Sequence, residues 1–118
     1  MQISWITCGE GNWCSLEHLD LSAIRTTEGV YVIWHAGRPS RVVIVGQGNI
    51  ARRLALHRAD PEVMQYSSRG RLLVTWAAVS NDADRSGIER FLVESYRPLV
   101  ADAPRAVVPL AVNFPGAA

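Results

Sequence analysis

The chain has 118 residues, 48% of them hydrophobic and 19% charged, which is enough apolar material for one domain with a buried core and excludes a disordered tail. Twelve basic against eleven acidic residues leave a net charge of +1, so the total makes no electrostatic case for nucleic acid. No apolar run approaches the length of a membrane span, about 18 residues, and no repeat or low-complexity stretch is present. The opening "MQISWITCGEG" lacks the basic-then-apolar order of a secretion signal, so the expected compartment is the cytoplasm.

In chain order, "QISWIT" is a short alternating apolar stretch and predicts a strand, followed by a loop with one helical turn up to residue 28. Cys8 and Cys14 can form at most one disulfide. In a cytoplasmic chain they are expected to stay reduced, as buried structural thiols. With His18 they make only three zinc ligands at unusual spacing, which argues against a metal site.

"GVYVIWH" (29–35) and "RVVIVG" (41–46) are rich in β-branched and aromatic residues and predict two strands. "AGRPS" between them predicts an antiparallel hairpin with a loop of about five residues. Gly46 and Gly48 predict a tight turn after the second strand. Asn49 is placed to N-cap a helix, with Ile50 and Leu54 toward the core and Arg53 and His57 on another face. Asp60-Pro61 reads as a cap and first helical position for a short helix through about Tyr66. "SSRGR" ends it, and "LLVTWAAV" (72–79) predicts a third strand covered on both faces. "NDADRSG" reads as a loop. "IERFLVESYRPL" predicts a helix with Ile88, Phe91, Leu92 and Leu99 on one stripe, closing at Pro98. "AVVPLAVNF" is a last extended segment that Pro109 confines to an edge or an irregular run. This order predicts an α+β domain with a small, mainly antiparallel sheet. Because exposed apolar edges invite aggregation, at least one terminal segment is expected to cover the sheet edge.

Arginine is the only basic residue type used, and Arg52, Arg53 and Arg58 cluster along the chain. A planar guanidinium fork suits phosphate, although a GC-rich genome also accounts for missing lysine. "GVY" (29–31), "IVG" (44–46), "NIARRLALH" (49–57) and a helix with Glu89 and Pro98 nine apart stand in order and at sensible spacing. In these elements residues 29–102 resemble the GIY-YIG nuclease family, which implies a three-strand core, open to extension by terminal strands, flanked by helices.

The resemblance implies a Mg²⁺-dependent (or Mn²⁺-dependent) endonuclease acting on DNA or RNA. It implies that Tyr31 helps to activate the attacking water, that Arg53 contacts the scissile phosphate, and that His57 takes a polar or basic position of the site. Glu89 is implied as the ligand of the single divalent metal. Ile44 stands where the family has its second tyrosine. Ala101 stands where an asparagine is usual, with Asp102 and Asn113 off register. These departures keep open the alternative of a catalytically impaired module that binds nucleic acid or a protein. A small standalone domain of this kind is expected to take its specificity from a separate targeting protein or from oligomerisation.

Each residue also has a plainer reading. Glu89 lies three after Ser86, the spacing of a capping box. Arg53 reads as a solvated helix residue of little weight in folding, His57 as a helix C-terminal residue favoured by the dipole, and Tyr31 as a half-buried strand tyrosine. His35, on the strand face of Tyr31, is a candidate base. Trp5, Trp13, Trp34 and Trp76 read as core packing before base stacking.

Overall fold

The computed structural model of the protein describes residues 1–100 and 106–116; Ala101 and Asp102 lie outside the described residues. The architecture is α+β. A four-stranded antiparallel sheet runs in the order β1-β4-β2-β3, with β1 Cys14–Ser15, β2 Glu28–His35, β3 Arg41–Asn49 and β4 Leu72–Ala78. Among the described residues three α-helices flank it: α1 Ile50–Arg58, α2 Pro61–Met64 and α3 Asp82–Tyr96. Two 3-10 turns, Leu21–Ile24 and Gln65–Arg69, join these elements.

The long strands are buried on both faces, so alternate residues build two separate cores. Tyr31, Ile33, Ile44, Val74 and Trp76 meet Ile50 and Leu54 of α1 and Val63 of α2 on one face. Val30, Val32, Trp34, Val45 and Ala77 meet Ile88 and Leu92 of α3 on the other. The helices therefore sit on opposite sides of the sheet, and β3, the edge strand, touches both α1 and α3.

Three local readings are corrected. The Gly46–Gly48 stretch is not a turn. β3 continues to Asn49, pairing Gly46 with Tyr31, Gln47 with Val30 and Gly48 with Gly29. Gly46 is there for room: a Cβ would lie 2.2 Å from the Tyr31 hydroxyl. "NDADRSG" is not a loop. Asn81 caps α3, its side chain accepting from the Asp84 N–H at 3.0 Å, so the helix starts a turn and a half before the apolar stripe that was legible. Ser86 is consequently a buried mid-helix residue, and the Ser86–Glu89 capping box does not exist.

The N-terminal strand is also displaced. "QISWIT" is irregular, and the short strand is Cys14–Ser15. The segment still covers the outer side of β4, since the Ile6 N–H donates to Trp76 O at 2.9 Å and Thr75 Oγ1 to Ile6 O at 2.8 Å. Asn113 clamps it from the other terminus, accepting from the Ile3 N–H at 2.7 Å and donating to Ile3 O at 2.9 Å. Trp34 and Trp76 are buried in the two cores, and Trp13 packs edge-on against Trp34.

Cys8 and Cys14 are joined in a disulfide, which overturns the expectation of reduced thiols. Cys14 is buried in β1, whereas Cys8 lies at the exposed start of the Gly9–Asn12 turn. That turn, with the Cys8 N–H donating to Asn12 O, brings the two cysteines within 4.9 Å between Cα atoms, inside the range a disulfide needs.

Candidate active site

The site begins with the way α1 is hung on the sheet. Asn49 ends β3 and caps α1, accepting from the Arg52 N–H at 3.0 Å while its amide donates to Arg25 O at 2.7 Å. The Ile50 N–H donates to Thr27 O at 2.9 Å, which ties the helix start to the loop before β2. Ile50 and Leu54 then bury completely. With those two facing the core, helical spacing turns Arg53 and His57 toward Tyr31.

Tyr31, His57 and Arg53 form one hydrogen-bonded set. The Tyr31 hydroxyl lies 2.5 Å from His57 Nε2, and Arg53 Nε donates to the same hydroxyl at 3.3 Å. A guanidinium has donors only, so the phenol oxygen accepts from Arg53; the direction of the Tyr31–His57 bond follows the imidazole tautomer. Tyr31 is 0% exposed and His57 6% exposed; Arg53 is half-buried. Tyr31 is thus not half-buried, and Arg53 is not a solvated helix residue. Gly46 makes the arrangement sterically possible, because the Tyr31 ring lies over it.

Glu89 is half-buried on α3, whose apolar residues pack on the other face of the sheet; α1 and α3 both contact β2 and β3. Ile44 is an apolar core residue opposite Ile33. His35 is no base for this site: it closes the far end of β2, where the Gly37 N–H donates to its Nδ1 at 3.1 Å. Burial, with Arg69 and Arg41 nearby, holds its imidazole below the ordinary pKa. Asn113 is spent on the N-terminal clamp.

The arginine cluster along the chain separates in space. Arg58 donates from Nε to Leu16 O at 2.6 Å and from a terminal nitrogen to Leu19 O, so it serves as a strut to the N-terminal loop. Arg52 is exposed and faces a recess it shares with Arg25, Glu28 and Asn49. Only Arg53 of the three joins Tyr31.

Arg85 was missed by sequence reasoning. Buried in the first turns of α3, it donates to Val79 O, Ser80 O and Gln47 Oε1 and pairs with Asp82. It is a positioning residue that locks the helix carrying Glu89 onto β3. The Asn81–Asp84 capping spacing was the signal that would have put it on a helix.

Among the described residues no three His, Cys, Asp or Glu side chains stand close enough to hold a metal. Among the described residues no helix is long and apolar enough to cross a membrane. Compared with family models, with curated proteins and with solved structures, the chain matches none.

Proposed function

We propose that this domain is a GIY-YIG-type, metal-dependent endonuclease acting on phosphodiester bonds of DNA or RNA. The observation that supports this reading is the hydrogen-bonded set of Tyr31, His57 and Arg53 beside the β3 glycines. Hydrolysis of a phosphodiester builds negative charge on the phosphoryl oxygens and requires a proton to leave the attacking water. Arg53 brings a permanent positive charge for the first task. Tyr31 and His57 would relay a proton for the second: the phenol oxygen takes the water's proton as its own passes to His57 Nε2, and the guanidinium beside it offsets charge on that oxygen. Glu89 would hold one Mg²⁺ or Mn²⁺, which supplies charge neutralisation at the phosphate.

A second reading has its own observation. A hydroxyl with no exposed surface does not meet an attacking water, and the Tyr31–His57 pair then serves to fix α1 on the sheet. On that reading the domain is a catalytically impaired module that binds nucleic acid, through Arg53, or a protein.

The cytoplasmic reading carries a condition. Disulfides are reduced there, so a cytoplasmic protein must tolerate an open Cys8–Cys14 bond.

The experiment is a cleavage assay with Mg²⁺ and with Mn²⁺ on supercoiled DNA, single-stranded DNA and RNA. Arg53→Ala should lower the rate about 100- to 1,000-fold, and Glu89→Ala should remove metal-dependent cutting. No cutting, but binding that weakens in Arg53→Ala, selects the second reading. Cutting and binding that ignore both substitutions sink the proposal.

A further inference from the structure

A second polar recess opens at the far end of β2. Its volume is about 370 Å³, and it is lined by His35, Gly37, Arg38, Pro39, Arg41 and Arg69. The three arginines come from the hairpin turn, the first residue of β3 and the end of the second 3-10 turn. No carboxylate lines the recess, and among the described residues none of the three arginines is ion-paired. Three arginines around one recess, with the Arg69 guanidinium over the Tyr66 ring at 5.3 Å, leave it positively charged, and an anion with several oxygens can accept from their forks.

The recess is built tightly. A Cβ on Gly37 would lie 2.4 Å from Arg69 O and 2.8 Å from His35 Nδ1, and one on Gly70 would lie 2.6 Å from the Gly37 nitrogen. Two glycines thus allow the hairpin turn and the 3-10 end to touch. His35 is 2% exposed, its Nδ1 accepts from Gly37, and so the neutral ring's proton sits on Nε2. That Nε2–H is buried without a hydrogen-bond partner, a costly state for a polar group.

We propose that this recess is a phosphate-binding site, with Arg38, Arg41 and Arg69 as ligands and His35 as the polar wall behind them. The phosphate is either a free anion or one group of a nucleic-acid backbone. Four residues along β2 separate it from Tyr31, about 13 Å at strand spacing. One phosphate cannot serve both places, and the site stands whether or not the domain cuts.

The test is a ¹H–¹⁵N NMR titration of the full chain, with inorganic phosphate in one arm and a short single-stranded DNA in the other, at constant ionic strength set with chloride. The amides of Gly37 and Gly70 should shift saturably. In Arg41→Ala/Arg69→Ala, both sites being exposed, the affinity should fall about tenfold or more. Arg52→Ala, an exposed arginine outside both sites, should leave it unchanged. Saturation in the phosphate arm assigns a free-phosphate site; saturation with DNA alone assigns a backbone phosphate. Shifts that never saturate, that persist in the double variant, or that vanish in Arg52→Ala overturn the proposal.

Discussion

Replacing Tyr31 by phenylalanine removes one oxygen and keeps the ring. That oxygen accepts from Arg53 Nε at 3.3 Å and shares a 2.5 Å hydrogen bond with His57 Nε2. Tyr31 has no exposed surface and His57 is 6% exposed, so bulk water does not replace either bond in the variant. Each net intramolecular hydrogen bond contributes about 0.5–1.5 kcal/mol, and the two together about 1–3 kcal/mol. For 118 residues the unfolding entropy is about 250 cal/mol/K. The melting temperature should therefore fall by about 4–12 °C. Thermal unfolding followed by circular dichroism reads this directly, with denaturant unfolding as a check on two-state behaviour. Arg52→Ala, at an exposed position of the same helix, is the control and should stay within about 0.5 kcal/mol of the parent. Arg53→Ala should also destabilise, and its effect should not add to that of Tyr31→Phe, because both remove the same bond. A Tyr31→Phe protein that melts with the parent would refute the argument that these contacts hold α1 to the sheet.

Other perturbations probe the remaining features. Gly46→Ala puts a Cβ 2.2 Å from the Tyr31 hydroxyl, so the ring must leave its place; overpacking of about 1–3 kcal/mol should lower the urea midpoint, and an unchanged midpoint would show that β3 yields instead. His35 has a pKa below the ordinary 6.5 through burial and the nearby Arg69 and Arg41. The unfolded chain therefore takes the proton first, and stability from this group is complete above about pH 6.5 and declines as the pH falls below it, toward the folded pKa. His35→Asn should flatten that part of the profile, and a slope identical to the parent's would exclude His35 as its source. Opening the Cys8–Cys14 bond, whose partners are 6 residues apart, should cost about 2 kcal/mol through the freed unfolded chain; equal melting with and without dithiothreitol would show that the bond contributes nothing.

Much of the fold was legible because it follows from local patterns. The β-branched runs around Val30–Trp34 and Val42–Val45, the Gly-Pro turn between them, the Asn49 and Asp60 caps and the apolar β4 each announce themselves within a few residues. The same patterns announced α+β and a third strand covered on both faces. At the site, the four-residue step from Arg53 to His57 was enough to put both on one helix face.

What failed locally failed for tertiary reasons. Gly46 and Gly48 look like a turn, and only the Tyr31 ring lying over Gly46 explains why a strand carries glycine there. The start of α3 lies in a polar run whose local signal is the Asn81–Asp84 cap, while its Arg85–Gln47 contact reaches β3. Arg52, Arg53 and Arg58 are neighbours in the chain, yet three-dimensional packing sends one to solvent, one to Tyr31 and one to the carbonyls of residues 16 and 19. Helix periodicity fixes directions about the axis; the surrounding chain decides what each direction meets. The Cys8–Cys14 pairing likewise depends on the turn at Gly9–Asn12 and on the anchoring of Cys14 to Val74, neither of which six residues of sequence can specify. The sequence by itself determined which elements form; the two-faced sheet decided which side chains meet, because hydrogen bonding and burial across strands join residues that no local pattern connects.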